Sequence, residues 1–288
     1  MTTMPATRAP RASGVALRMT PGRWVTLAIG VPIALALIAA TGFSIVTAIG
    51  QGSFPVNASI PVQDGRLVAS TGGGDITVHQ EQTRSATARL VGTVQYSLVR
   101  PRLTISGDGV HLDCRLLTGN CGLNATLDVP PDTVVNLASE GGNMQVNGID
   151  RAVTLSSDGG DVAVSSVGGI ADVTTGGGNL TASDLGSTLR FSTDGGDVNG
   201  NGLFAPQVTT YSGGGNVNLV FTRAPANLSI TSDGGDINIV LPPGSTSYAI
   251  TSSTDGGDYS HQVPTSKSSS HTITVDSGGG NVSIAETS

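Results

Sequence analysis

Val153-Thr154-Leu155-Ser156-Ser157-Asp158-Gly159-Gly160-Asp161-Val162-Ala163-Val164 is the stretch that decides the fold. Apolar residues alternate with polar ones before the two glycines and again after them. That is the two-residue period of a half-buried strand. The glycine pair can take dihedrals closed to other residues, so it can bend the chain or admit a close backbone approach. The segment reads as strand, turn, strand. The same pattern returns as Leu189 and Phe191 then Val198, as Val217 and Leu219, as Leu228 and Ile230 then Ile237 and Ile239, and as Ile273 and Val275 then Val282 and Ile284.

Working outward, Gly-Gly followed by Asp or Asn recurs at Asn143, Asp161, Asn179, Asp197, Asn216, Asp236, Asp258 and Asn281. Successive gaps are 18, 18, 18, 19, 20, 22 and 23 residues, and an earlier copy ends at Asp75. A second turn falls about half a repeat later, at Gly168-Gly169, Asp184-Leu185-Gly186 and Asn201-Gly202. One such unit cannot bury its own apolar face. Stacked units can, with strands of adjacent coils about 4.8 Å apart. The expected fold is all-β, a β-solenoid or closely related stacked array of about 18–23 residues per repeat. No helix-length amphipathic segment occurs after residue 50.

Asn and Asp alternate through Asn143, Asp161, Asn179, Asp197, Asn216 and Asp236. With coils in register, a pure Asp column would set like charges about 5 Å apart, and alternating Asn removes the worst of that repulsion. Asn and Asp also tolerate left-handed turn geometry. A second reading of the same turns is calcium. The candidate ligands are Asp158 with Asp161, Asp194 with Asp197, Asp233 with Asp236, and Asp255 with Asp258. Calcium-binding β-rolls repeat GGxGxD at 18 residues per coil. Here the x-G-x-D tail is missing, and the Asn copies supply less charge than calcium favours.

At the N-terminus, Arg8, Arg11, Arg18 and Arg23 stand without an acidic residue, and residues 24–49 carry no charge. As a helix that 26-residue run reaches about 39 Å, enough to cross a bilayer with some tilt. The arginines orient the tail inward, which predicts a single-pass cell-membrane protein with an extracytoplasmic C-terminal domain. A cleaved signal peptide is the alternative, but the run is long for one and has no clear small-x-small cleavage site. Gly30 with Ala34 and Ala36 with Ala40 offer a weak helix-packing signal toward self-association. The expected organisation is a basic cytoplasmic tail at 1–23, a transmembrane helix at 24–49, a tether at 50–62, a membrane-proximal β cap at 63–131, and the repeat array at 132–288. Strands are expected over residues 83–95 and 102–112.

Charge is balanced in the cap region, six arginines against six acids, but residues 132–288 hold fifteen acids against four basic residues. That excess argues against nucleic acid as a partner. Cys114 and Cys121 are the only cysteines, with six residues between them that include the turn signal Gly119-Asn120. Outside the cytoplasm a disulfide between them is the default. No nucleophile elbow, HExxH or phosphate loop occurs. Gly200-Asn201-Gly202-Leu203-Phe204-Ala205 matches a loose dinucleotide fingerprint, but Pro206 follows and no helix pattern opens. His79, His111, His261 and His271 are scattered. The reading is not an enzyme and carries no cofactor, apart from the calcium alternative.

Leu127-Asp128-Val129-Pro130-Pro131-Asp132-Thr133-Val134-Val135-Asn136-Leu137, followed by the Ser/Thr–Gly–Gly–Asp/Asn repeats, resembles the bacterial "putative adhesin" β-strand-repeat family, a domain of unknown function. The resemblance covers residues 63–286. It implies a β-solenoid-like fold, commonly membrane-anchored, with no catalytic residues to carry over. The expected role is a non-catalytic cell-envelope scaffold or adhesin-like surface, meeting a cell-surface protein or glycan. The alternatives are a calcium-binding envelope module using the Asp turns and an extracytoplasmic sensor.

Overall fold

The computed structural model describes residues 51–62, 64–82, 87–97, 101–106, 109–113 and 121–287. The basic tail and the membrane helix expected at 24–49 lie outside the described residues, as does Cys114. Every regular element among the described residues is a strand. In chain order they are β1 (Gln51–Pro61), β2 (Arg66–Thr71), β3 (Ile76–Gln80), β4 (Thr87–Ser97), β5 (Arg102–Ser106), β6 (Gly109–Asp113), β7 (Cys121–Val129), β8 (Val134–Ser139), β9 (Met144–Asn147), β10 (Val153–Ser157), β11 (Val162–Ser165) and β12 (Ala171–Thr175). There follow β13 (Leu180–Ser183), β14 (Leu189–Thr193), β15 (Val198–Leu203), β16 (Gln207–Ser212), β17 (Val217–Phe221), β18 (Asn227–Ser232), β19 (Ile237–Leu241), β20 (Ala249–Thr254), β21 (Tyr259–Gln262), β22 (Thr272–Ser277) and β23 (Val282–Glu286).

Each repeat is one coil. A strand of the first sheet leads through the Gly-Gly turn into a strand of the second sheet, and the second turn returns the chain one coil along. The second sheet has the order β1-β4-β7-β3-β9-β11-β13-β15-β17-β19-β23-β21, and the first β20-β22-β18-β16-β14-β12-β10-β8-β2-β6-β5. From β7 to β21 and from β6 to β20 all pairing is parallel, and it is in register except where β15 meets β17, with a shift between Gly200 and Leu203. Among the described residues ten coils therefore stack, spanning about 45 Å at the usual strand spacing.

Chain order and stack order differ at both ends. The coil β2/β3 lies between β6/β7 and β8/β9, although it precedes both in sequence. At the other end the last coil of the chain, β22/β23, is inserted between β18/β19 and β20/β21. Chain order is therefore not stack order at either end. The reason is topological: the longer segments around β20/β21 let the chain step over one position and return to fill it.

The first block also departs from its expected outline. Within the expected tether, Gln51–Pro61 form the strand β1. β1 pairs along its whole length with β4, antiparallel, from Gln51 opposite Ser97 to Pro61 opposite Thr87. The strand expected at 83–95 is β4, and the one expected at 102–112 is a hairpin, β5 against β6. The β cap therefore shares its coils β2/β3 and β6/β7 with the stack.

Inward positions form columns. Val135, Val153, Ala171, Leu189, Val208 and Leu228 stack on one another in the first sheet, and Met144, Val162, Leu180, Val198, Val217 and Ile237 in the second. All are buried. Ile149, Val167, Leu185 and Leu203 plug the second corner of successive coils, also buried. The turn there places Gly148, Ser166, Asp184 and Gly202, one per coil, at φ of 69, 53, 54 and 65°. Glycine, or a short polar side chain that can bond locally, is what this left-handed position accepts.

The Gly-Gly corner has a different requirement. A Cβ on the second glycine of each pair would run into the carbonyl oxygen of the glycine one coil back: Gly160 into Gly142, Gly178 into Gly160, Gly196 into Gly178. The first glycine has room, and Gly141 and Gly177 have nothing within 4 Å. Close backbone approach, not bending, fixes the second glycine. Just before the pair, a buried Ser or Thr holds the turn. The amide N–H of Gly160 donates to Ser157 Oγ at 2.8 Å, and that of Gly196 to Thr193 Oγ1 at 2.9 Å. Such hydroxyls would otherwise be costly to bury.

Candidate binding surface

The side chain of the Asp or Asn after the second glycine of each pair, like that of Asn124 at the equivalent place in β7, reaches from one coil to the next. Its Oδ1 accepts the backbone N–H of the equivalent residue one coil along. Asn124 accepts from Asp75 at 2.8 Å, Asp75 from Asn143 at 3.1 Å, Asn143 from Asp161 at 2.9 Å and Asp161 from Asn179 at 2.7 Å. The series continues from Asn179 to Asp197, Asn216, Asp236, Asn281 and finally Asp258. This ladder joins all ten coils.

In stack order the residues alternate without exception: Asn124, Asp75, Asn143, Asp161, Asn179, Asp197, Asn216, Asp236, Asn281, Asp258. In sequence order they do not, because Asn124 meets Asn143 and Asp236 meets Asp258. The inserted coils repair both breaks. Each carboxylate thus has amide neighbours, and successive carboxylates stand two coils apart, about 9.6 Å. The energetic logic is that of like charges kept from facing one another across a sheet. Asn281 Nδ2 also donates to Asp236 Oδ1 at 3.3 Å, an interaction that a second Asp could not make.

A second acidic column lies at the start of the same turns. Its order along the stack is Gly72, Glu140, Asp158, Gly176, Asp194, Gly213, Asp233, Gly278, Asp255. Gly176, Gly213 and Gly278 are needed, because a Cβ there would strike the carbonyl oxygens of Asp158, Asp194 and Asp233. Asp158, Asp194, Asp233 and Asp255 are exposed. Tyr211 Oη donates to Asp233 Oδ2 at 2.8 Å. That hydrogen bond, with the carboxylate charge, raises the Tyr211 pKa above the ordinary 10.0.

Each calcium candidate pair, Asp158/Asp161, Asp194/Asp197, Asp233/Asp236 and Asp255/Asp258, therefore sits on its own turn, with a Gly/Asn turn between it and the next. One Oδ1 of Asp161, Asp197 and Asp236 is already engaged by a backbone N–H. Among the described residues, no three His, Cys, Asp or Glu converge on a point.

Beside the ladder runs a groove along the second sheet. Asp75, Asn143, Asp161, Asn179 and Asp197 form one wall, and Thr77, Gln145, Thr181 and Asn199 the other. Its groups are short, uncharged donors and acceptors alternating with carboxylates at coil spacing. Such a strip offers hydrogen bonds to an extended polar ligand and no nucleophile–base pair.

The histidines are not brought together. His79 lies on β3 and His111 on β6, in different sheets, and His261 lies on β21. His271 precedes β22, its Nδ1 2.7 Å from the Pro225 carbonyl oxygen. Residues 200–205 lie in β15 and its corner, with no helix to receive a pyrophosphate. Cys121 opens β7.

Residues 67–288 match the family model described as Toastrack DUF4097. Two solved structures are similar. One is a "putative adhesin" from Bacteroides fragilis, 13% identical with a TM-score of 0.45, covering 81% of this chain and 97% of that one. The other is a "putative cell adhesion protein" from Clostridium sporogenes, 10% identical with a TM-score of 0.30, covering 81% of this chain and 100% of that one. No curated protein matches the chain.

Proposed function

The chain belongs to the Toastrack DUF4097 family, a domain of unknown function, and on that premise we propose that it is a non-catalytic scaffold displaying a polar binding surface at the cell envelope. The observation that carries this reading is the Asn/Asp ladder. It runs the length of the stack and repeats one chemical unit at fixed spacing, which suits display and binding along a line rather than chemistry at a point. The outward columns support it: Thr154, Asp172, Arg190, Thr209 and Ser229 in the first sheet are polar and in register. In this reading residues 24–49 anchor the chain, Arg8, Arg11, Arg18 and Arg23 stay in the cytoplasm, and the stack stands outside. A Cys114–Cys121 disulfide belongs to the same reading, because that compartment is oxidising.

The test is made on intact cells carrying a C-terminal epitope. Antibody labelling without permeabilisation, with loss of the epitope on mild protease treatment, is the expected result. Labelling only after permeabilisation overturns the envelope reading. The surface itself is tested by adhesion of those cells to protein- and glycan-coated supports. The triple variant Asp161→Asn, Asp197→Asn, Asp236→Asn keeps the fold and should change adhesion; unchanged adhesion removes the ladder as the binding face.

A further inference from the structure

The two ends of the stack are finished differently. At the β7 end, the second sheet continues into the antiparallel strands β4 and β1. The outermost of these, β1, carries Pro55 and Pro61, which have no N–H to offer. The first sheet ends there in the antiparallel strand β5, which begins with Arg102. Proline and basic side chains are the usual protection of a sheet edge.

At the β20/β21 end the two edge strands themselves have neither, and Pro264 and Lys267 lie in the loop after β21, which bridges to Tyr248, the residue preceding β20. β20 is Ala-Ile-Thr-Ser-Ser-Thr and β21 is Tyr-Ser-His-Gln, without proline, lysine, arginine or a carboxylate. Among the described residues β20 pairs with the strand β22 and β21 with β23. On the open side the chain folds back at Tyr248, whose N–H donates to the Pro264 carbonyl and whose carbonyl accepts from the Ser266 N–H. The N–H of Val282 donates to the Asp258 carbonyl and that of Ala249 to the His271 carbonyl. In a parallel ladder successive residues bond to alternate sides. The N–H and C=O groups of Ile250, Ser252 and Thr254, and of Tyr259 and His261, therefore face the open side.

Three further observations mark this end as incomplete. Tyr259 and His261 occupy the columns that Val282 and Ile284 fill one coil back, and Tyr259 is 39% exposed where Val282 is 1%. Their rings stack on each other at 5.4 Å. Tyr248 Oη and Ser252 Oγ, both in this coil, are buried side-chain atoms without a hydrogen-bond partner. Asp258 ends the ladder, with no further coil to donate an N–H to its Oδ1 as at every other aspartate.

We infer that the β20/β21 end is a docking face for a second copy of this chain, meeting it tail to tail. An edge that alternates N–H and C=O is its own complement when the partner runs antiparallel, and a two-fold axis supplies that arrangement. Uncharged edge strands let two acidic molecules approach without like charges opposed. Because the opposite end is closed by β1, β4 and β5, association stops at a dimer and builds no filament.

The test measures the mass of the full chain in mild detergent across a dilution series. Wild type is expected to be a concentration-dependent dimer. His261→Pro removes an open-side N–H and leaves the bonds to β23 in place. Ser253→Lys sets a charge on the β20 edge beside Asp276, its neighbour in β22. Both variants should be monomers, with the melting temperature measured at high dilution unchanged. Should His261→Pro prove misfolded, Ser253→Lys decides alone. A wild-type monomer at every concentration overturns the inference. So does a dimer that persists in Ser253→Lys, since association would then lie elsewhere.

Discussion

At the residue scale, the two glycines of each turn look interchangeable in the sequence and are not. Gly178 sits where a Cβ would meet the Gly160 carbonyl, whereas Gly177 has nothing within 4 Å and an ordinary φ. Gly178→Ala should cost about 3 kcal/mol, the upper end of ordinary overpacking. Gly177→Ala should leave stability unchanged or raise it by about 0.5 kcal/mol, by restricting the unfolded chain. Urea melts of the two variants give opposite signs if the close approach is the constraint. The ladder makes a similar asymmetric prediction. Asn179→Asp sets a carboxylate between Asp161 and Asp197, creating two like-charge pairs at about 5 Å. At near-aqueous dielectric that costs roughly 1–2 kcal/mol, shrinking as salt is added. Asp161→Asn should be neutral or slightly stabilising, read from the same melts. Alternation was legible in the sequence. The use of each Oδ1 as a rung to the next coil was not, because it requires knowing which backbone N–H lies above it.

At the element scale, the strands were readable because one face is buried and the two-residue period survives in every repeat. β10 and β11 follow the pattern of Val153, Leu155, Val162 and Val164 without deviation. β1 was not readable: Gln51–Pro61 holds two prolines and few large apolar residues, and only its pairing with β4 makes it a strand. The placement of β22/β23 was likewise hidden by sequence order. Its signal lay in the ladder residues, since Asp236 followed by Asp258 breaks the alternation and Asn281 restores it only from a position between them. The inserted coil gives a test. Deleting residues 272–288 removes Ile273, Val275, Val282 and Ile284 from the core. Each is worth about 1.5–3 kcal/mol when fully buried, so the total approaches the stability of a whole domain. It also strips β20 and β21 of their only strand partners. Loss of the cooperative melt, followed by circular dichroism, is expected. A small shift in melting temperature would mean that the last coil of the chain sits at the end of the stack.

At the scale of the whole molecule, the carboxylates are dispersed rather than gathered. Calcium gains affinity from several oxygens closing on one ion, and here each Asp-Gly-Gly-Asp turn brings only two carboxylates, separated along the stack from the next such turn by a Gly/Asn turn. Millimolar calcium after EDTA should therefore leave the melting temperature where it was. A calcium-specific rise of several degrees, through binding to the folded state alone, would restore Asp158, Asp161 and their equivalents as ligands. The sequence by itself determined the all-β class, the coil length, the buried columns and the need to keep Asp from stacking on Asp. These are local or periodic properties, set by alternation of side chains and by residue type at fixed spacing. Only the tertiary structure decided the order of coils at both ends, the pairing of β1, the separate duties of the two glycines, and which end is open. Those depend on which backbone lies one strand spacing away, and the residues that meet there can be 68 positions apart in sequence, as Asp75 and Asn143 show.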